Sequence, residues 1–141
     1  MTGGPTTTAA AAGGCQGILL VEDDADLLAV ETQLLHDEGY AVTAATNGHE
    51  ALALLRSTKH PLRPCLILLD LMMPVMDGWE FRAAQIQDPR LAAIPVVLLT
   101  ADGHAADKRQ RLAAAAALTK PVTATQLLDT VHRFCDGSVR E

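Results

Sequence analysis

The stretch Leu66-Ile67-Leu68-Leu69-Asp70 is a short, continuous apolar run that ends in a carboxylate. A run of this length, apolar at every position, is typical of a strand buried on both faces of a parallel sheet. A buried strand end is an unfavourable place for an unpaired charge, so Asp70 is poorly explained as a simple cap. The run therefore predicts a buried strand with a functional acid at its end.

The same pattern recurs along the chain. Three further apolar runs end in polar residues: 17–21 before Glu22 and Asp23, 95–99 before Thr100, and Leu118-Thr119 before Lys120. Helix-length segments separate the runs, which predicts a doubly wound α/β domain with right-handed crossovers. In such sheets the ligand site lies outside the carboxyl ends of the strands, so we expect these polar side chains to meet at one edge.

The remaining segments complete five strands and five helices. Residues 40–45 read as an edge strand, and Asp24 and Asn47-Gly48 read as helix starts. Residues 79–86 and 123–135 predict two further helices. The alanine-rich stretch 105–117 favours one long helix by propensity, but the alternating order requires a fifth strand near 115–118, and we favour the strand.

Composition narrows the class of protein. The 141 residues carry a net charge of −6, which argues against direct nucleic-acid binding because no basic stripe is available for phosphates. The basic cluster at 108–111 reads as a solvated helix face. No run reaches transmembrane length, so no membrane association is expected. Three scattered cysteines favour a reducing compartment over a disulfide framework, which indicates a cytoplasmic protein.

Domain boundaries follow from the same composition. Residues 1–16 are rich in Thr, Ala and Gly and read as a disordered tail or linker rather than a signal peptide. Residues 17–135 form the single predicted domain, and residues 136–141 form a C-terminal tail.

The polar residues at the strand ends suit phosphoryl chemistry. Clustered carboxylates suit Mg²⁺, which takes one or two protein carboxylates and keeps several waters. An aspartate beside such an ion can act as a nucleophile towards phosphorus, and a lysine and a hydroxyl can contact the phosphoryl oxygens. Glu22 and Asp23 could equally be acids at a helix start, where the macrodipole favours them. The bond Lys120–Pro121 could be cis and aim the lysine at the site, or the proline could simply begin a helix.

Four ordered motifs resemble the receiver domains of two-component response regulators. They are residues 18–24, 68–78, 98–101 and 118–121, and residues 47–52 also look typical of the family's second helix. The resemblance spans about residues 17–135. It implies a CheY-like, flavodoxin-like fold with a five-stranded parallel sheet of order 2-1-3-4-5.

The resemblance also implies roles for individual residues. Asp70 would be the phosphoacceptor, and Thr100 and Lys120 would contact the phosphoryl group. The metal ligands for Mg²⁺ would be Glu22, Asp23, Asp70 and the backbone carbonyl of Met72. The small Ala101 would leave the site accessible.

Two features depart from the family's pattern. The family usually has an aromatic residue three positions before the lysine, where this chain has Ala117, and the interval from Thr100 to Lys120 is a couple of residues shorter. The resemblance therefore predicts phosphoryl chemistry at Asp70 more directly than it predicts the family's usual switch, which involves the threonine and this aromatic residue.

The predicted function is a phosphoacceptor module that catalyses only its own phosphorylation and slow dephosphorylation. The resemblance implies a sensor histidine kinase or a histidine phosphotransfer protein as donor, and we expect the face 101–135 to contact a downstream protein. Two alternatives stay open: an interaction module that signals without phosphorylation, suggested by Ala117, and a Mg²⁺-dependent phosphatase. A phosphatase would favour a general acid two residues after the nucleophile, where this chain has Met72.

Overall fold

A computed structural model describes residues 17–73, 75–101 and 104–136. The predicted tail 1–16 and residues 137–141 of the predicted C-terminal tail lie outside the described residues. Both assignments therefore stay predictions.

The described residues form an open parallel sheet with the strand order β2-β1-β3-β4-β5. The strands are β1 (Ile18–Val21), β2 (Val42–Ala45), β3 (Leu66–Asp70), β4 (Val96–Thr100) and β5 (Ala116–Thr119). The helices are α1 (Ala25–Asp37), α2 (Gly48–Leu55), α3 (Gly78–Gln87), α4 (Ala105–Arg111) and α5 (Ala124–Val131). The predicted fold and strand order are confirmed, and no described helix is long and apolar enough to span a bilayer.

Alternate residues of the central strands pack into two separate cores, one on each face of the sheet. In β1, Leu19 and Val21 belong to one core, whereas Ile18 and Leu20 belong to the other. Residues alternate between faces along a strand, so a continuous apolar run serves both cores. β1, β3 and β4 are buried at every position.

Local signals set the helix boundaries near the sheet edge. The Asp24 carboxylate accepts hydrogen bonds from the backbone N–H groups of Asp26 and Leu27, and the Asn47 side chain accepts one from Glu50. Gly39 follows α1 with a φ of +94°, a conformation that glycine adopts without steric cost. The two predicted helix starts are confirmed.

The ambiguous alanine-rich stretch contains both a helix and a strand. Helix α4 ends at Arg111, Ala113 has a φ of +53°, and β5 begins at Ala116. The predicted fifth strand is confirmed one residue later than expected. The last predicted helix is shorter as an α-helix, because residues 132–136 form a π-helical turn after α5.

Two cysteines lie among the described residues. Cys65 is disulfide-bonded, whereas Cys135 is a buried thiol outside any disulfide. The expectation that the cysteines would not form disulfides is therefore wrong at Cys65, and cysteine usage gives no support for a reducing compartment.

Candidate functional site

Three carboxylates meet at the carboxyl edge of the sheet. Glu22 and Asp23 follow β1, and Asp70 is the last residue of the neighbouring strand β3. One oxygen from each of the three lies within 4.8 Å of the others. Hard cations such as Mg²⁺ prefer carboxylate oxygens, so this donor set fits the predicted ion.

Lys120 completes what we call the acidic pocket, formed by Glu22, Asp23, Asp70 and Lys120. Its Nζ atom lies 2.9 Å from Glu22 Oε1 and 3.3 Å from Asp70 Oδ1. The Lys120–Pro121 peptide bond is cis, which confirms the first of the two alternatives for this bond. The Lys120 backbone N–H donates to the Thr100 carbonyl oxygen at 2.7 Å, which ties the end of β5 to the end of β4.

Burial makes ionisation of the pocket acids costly. Glu22 and Asp70 are only 1% and 3% exposed, whereas Asp23 is exposed. Burial, helped by the neighbouring Glu22 charge, raises the pKa of Asp70 to about 7 against the lowering effects of Lys120 and of the Met72 N–H. A bound divalent cation would favour the ionised form of such a group.

Lys120 is held in its charged form. Burial would lower its pKa, but the hydrogen bond to Glu22 and the charges of Asp70 and Glu22 outweigh burial and raise the pKa. A charged ammonium between two carboxylates supplies the positive charge that a transferred phosphoryl group would meet.

The chain after β3 approaches the pocket closely. The Met72 N–H donates to Asp70 Oδ1 at 3.2 Å, and the Met72 side chain is 70% exposed. A Cβ atom at Gly78 would lie 2.7 Å from the Asp70 carbonyl oxygen and 2.8 Å from Leu71 Cα. Only glycine allows α3 to begin this close to the strand that carries Asp70.

Thr100 ends β4 beside Asp70 and is 1% exposed. Its Oγ1 accepts a hydrogen bond at 3.1 Å from Nζ of Lys108, which lies on α4. Sequence patterns placed Lys108 on a solvated helix face, and this assignment is wrong because the side chain is half-buried against Thr100.

Comparisons with known proteins assign the chain to a family. The model of the response regulator receiver domain matches residues 18–132. The chain belongs to this family. The predicted resemblance is therefore confirmed, and the chain is a receiver domain of the kind found in two-component signal transduction.

Individual relatives agree with the family assignment. The protein PilH of Pseudomonas aeruginosa is 33% identical over 122 residues, which are 85% of this chain and 98% of PilH. The signal receiver domain of a signal transduction histidine kinase from Syntrophus aciditrophicus is 32% identical and has a TM-score of 0.75, with 89% of this chain and 94% of that one covered. The phosphorylated cyanobacterial phytochrome response regulator RcpA is 31% identical with a TM-score of 0.73, covering 88% of this receiver domain and 96% of RcpA.

The structure brings most of the predicted site residues of the receiver domain together. Asp70, Glu22, Asp23 and Lys120 share one pocket, and Thr100 lies at the same sheet edge. The ligand role of the Met72 carbonyl stays a prediction.

Glu31, on the inner side of α1, was missed by sequence reasoning. It is 5% exposed, and its Oε1 has no hydrogen-bond partner among the described residues. Burial raises its pKa to about 7, with the charges of Glu22 and Asp70 adding to the effect of burial and Lys120 opposing it. A glutamate between Val30 and Thr32 carries no sequence signal for its burial.

Proposed function

We propose that this receiver domain accepts a phosphoryl group on Asp70 and uses Mg²⁺ to do so. The convergence of the pocket carboxylates within 4.8 Å, with Lys120 Nζ 3.3 Å from Asp70 Oδ1, is the observation that carries the proposal. Asp70 is the pocket acid that is itself a residue of a fully buried strand. Its backbone is therefore fixed, and its carboxylate is presented at the sheet edge.

The reaction exchanges one bond to phosphorus for another. An Asp70 carboxylate oxygen forms a bond to phosphorus while the bond from phosphorus to the imidazole nitrogen of the donor breaks. That nitrogen keeps the electron pair and takes up a proton. Lys120 and the Thr100 hydroxyl are the residues proposed to contact the phosphoryl oxygens, the first as a cation and the second as a hydrogen-bond donor.

Glu22, Asp23, Asp70 and the Met72 carbonyl would hold Mg²⁺. The ion would offset negative charge on the carboxylates and on the phosphoryl oxygens. Asp70 must be ionised to act as a nucleophile, and because burial raises its pKa to about 7 without a metal, this charge compensation would increase the ionised fraction near neutral pH.

The donor follows from the family. We propose that a sensor histidine kinase or a histidine phosphotransfer protein in the cytoplasm supplies the phosphoryl group. We also propose that the face 101–135 contacts a downstream protein. The chain would be a signalling module rather than an enzyme, because the residue two positions after Asp70 is the exposed, non-acidic Met72.

Incubation with acetyl phosphate and Mg²⁺ tests the proposal. We expect intact-protein mass spectrometry to show one added phosphoryl group in the wild type. Asp70→Asn should show none, because an amide is not a nucleophile towards phosphorus, and chelation with EDTA should prevent the wild-type adduct. Asp129→Asn is the matched control, since Asp129 is an exposed residue of α5 away from the pocket.

The same experiment separates the alternatives. A wild type that releases phosphate over many turnovers would indicate a phosphatase. A wild type that folds and binds Mg²⁺ but forms no adduct would indicate an interaction module that signals without phosphorylation. Either result would contradict the proposal.

A further inference from the structure

Helix α4 is attached to the phosphoryl site by a side-chain hydrogen bond to Thr100. Lys108 Nζ donates to Thr100 Oγ1 at 3.1 Å across the boundary between α4 and β4. Thr100 is 1% exposed at the edge that holds the acidic pocket. This contact joins a helix with no buried residue to a fully buried strand.

Other contacts of α4 are polar or lie at its ends. Its first residue follows His104, whose side chain provides no cap, and its C-terminal carbonyl groups at Leu112 and Ala113 accept hydrogen bonds from Arg82. The Arg111 guanidinium lies 5.2 Å from the centre of the Trp79 ring. Within residues 105–111 the position of the helix depends on a few directional contacts, and its apolar anchor is Leu112, which directly follows the helix and is buried in the core.

The direction of the Lys108 hydrogen bond matters. An ammonium can only donate, so the Thr100 oxygen is the acceptor and the hydroxyl proton stays available for another acceptor. A phosphoryl group on Asp70 would offer that acceptor. A hydroxyl that donates to an anion becomes a better acceptor itself, so the contact with Lys108 would become stronger.

We propose that Lys108 transmits the state of Asp70 to α4 through Thr100. This inference rests on the proposed function, because the signal is the arrival of the phosphoryl group. Phosphorylation replaces the single charge of the Asp70 carboxylate with a phosphoryl group that carries roughly 1.5 to 2 negative charges, and this group attracts the Lys108 ammonium. Lys108 then holds α4 more tightly against the sheet, and the surface of α4 presented to a partner becomes more ordered. Lys108 is a positioning residue in this scheme.

No residue of β5 has a side chain that could relay the position of Thr100, so we assign this role to Lys108. Ala117 lies opposite Leu98 in the parallel register, and its side chain is a single methyl group. The strand carries no aromatic residue, so a large side chain from β5 cannot report the position of the Thr100 hydroxyl. Among the described contacts, the link from Thr100 to the helix surface is the Lys108 side chain.

Amide hydrogen exchange tests the inference, with beryllium trifluoride and Mg²⁺ as the phosphoryl mimic. In the wild type we expect the mimic to slow exchange over residues 105–111 by roughly fivefold, the factor that one ordinary hydrogen bond corresponds to. Lys108→Met removes the ammonium but keeps an apolar stem of similar length. It should abolish the slowing while fluorine NMR still detects the mimic on the protein.

Two further variants separate a signalling role from a structural one. Arg109→Gln removes one positive charge, and a long hydrogen bond to the Ala114 carbonyl oxygen, from the same helix without touching Thr100, and it should keep the wild-type response. Lys108→Arg keeps a charged donor and should restore part of the response. The lone tryptophan gives a second readout, because Trp79 packs against Arg111 of α4, and its fluorescence should follow the same order of variants.

A double-mutant cycle tests the pair without any phosphoryl mimic. Thr100→Val and Lys108→Met should each speed exchange over 105–111, and the double variant should add little to either change. A response to the mimic that persists in Lys108→Met would overturn the inference, as would additive effects in the cycle. If the wild type does not bind the mimic, the proposed function fails, and the cycle still decides whether Lys108 positions α4 through Thr100.

Discussion

The acidic pocket and helix α4 lie at the same edge of the sheet but are built in opposite ways. The pocket carboxylates stand on β1 and β3, which are buried at every position, and Glu22 and Asp70 are themselves almost fully buried. Helix α4 has no buried residue and is held by Lys108, Arg111 and the Arg82 contacts after its end.

This difference indicates a division of roles. Apolar packing around β1 and β3 fixes the reacting groups, whose geometry must not vary. Polar contacts hold α4 at a lower local stability, so a change of charge in the pocket can alter its position. A free-energy change that is too small to shift the buried strands can therefore shift the position of α4.

The largest expected effect is on the pocket side. Gly78→Ala would place a Cβ atom 2.7 Å from the Asp70 carbonyl oxygen, against backbone that belongs to β3 and its continuation. We expect the free energy of unfolding to fall by about 3 kcal/mol, because neither backbone segment can move without disturbing the core. Urea denaturation measures this change.

Gly39→Ala is the matched control for the first prediction. Gly39 has a φ of +94°, and no described atom lies within 4 Å of the position that an added methyl group would take, so the cost is backbone strain alone. That cost should be about 1 kcal/mol. Equal losses in the two variants would show that α3 does not approach β3 as closely as the structure indicates.

Binding of Mg²⁺ should stabilise the acidic pocket and increase the difference in local stability between the pocket and α4. An ion that binds only the folded state adds about 2.7 kcal/mol at one hundred times its dissociation constant. We expect thermal unfolding with Mg²⁺ to occur at higher temperature and EDTA to reverse the shift. Asp23→Asn should reduce the shift, whereas Asp129→Asn should not. A shift that survives in Asp23→Asn would place the ion elsewhere.

Arg82→Met tests how α4 is attached to the rest of the domain. Arg82 is 7% exposed and donates to the carbonyl oxygens of Leu112 and Ala113 and to Gln85. Methionine keeps the apolar stem but leaves these acceptors without their donor. We expect the free energy of unfolding to fall by about 2–3 kcal/mol. Part of this loss is offset because the variant no longer buries a charged guanidinium group, which costs free energy.

The location of the loss is the informative part of this prediction. Hydrogen exchange should become faster first over residues 105–114 and only later in β3. Arg90→Met removes an exposed arginine that pairs with Asp88 and should change the unfolding free energy little. Uniform acceleration across the sheet would mean that Arg82 supports the whole domain rather than α4.

The sequence determined the pocket more completely than its surroundings. Apolar runs that end in Glu22, Asp70, Thr100 and Lys120 predict the strands and the convergence of these residues, because the strand ends share one edge, whereas the strand order came from the family resemblance. No such rule places Lys108 or Arg82. Lys108 lies in a polar stretch that resembles a solvated helix face, and Arg82 is a charged residue among apolar ones. Lys108 is half-buried because it contacts Thr100, and Arg82 is buried because its partners Leu112 and Ala113 come from a distant segment.

Helix α3 illustrates the same limit. Its apolar residues Ala83 and Ile86 are exposed, whereas Arg82 and Gln85 are buried. The Gln85 amide donates to the carbonyl oxygens of Leu91 and Ile94, which lie outside any regular strand or helix. Side-chain partners for loop carbonyls depend on tertiary structure, and hydrophobic periodicity does not report them.

The smallest expected effect concerns Glu31, which lies on α1 close enough to feel the pocket charges. Burial and the Glu22 charge raise its pKa from 4.5 to about 7 in the folded protein. The folded state therefore binds more protons than the unfolded state between these two values, and its stability falls as pH rises through this window. Glu31→Gln cannot lose a proton, so the variant should not show this part of the fall.

We therefore expect Glu31→Gln to exceed the wild type in unfolding free energy by roughly 2 kcal/mol at pH 8 and by much less at pH 5. Asp70 has a shift of the same sign, and most of its contribution cancels in the difference because Asp70 is present in both proteins. Urea denaturation at the two pH values measures the effect, with Asp129→Asn as the exposed control. Mg²⁺ should shrink the difference at pH 8, because it offsets the Glu22 and Asp70 charges that help to raise the pKa of Glu31. A difference independent of pH would mean that the pKa of Glu31 is the same in the folded and unfolded protein, against its burial beside the pocket.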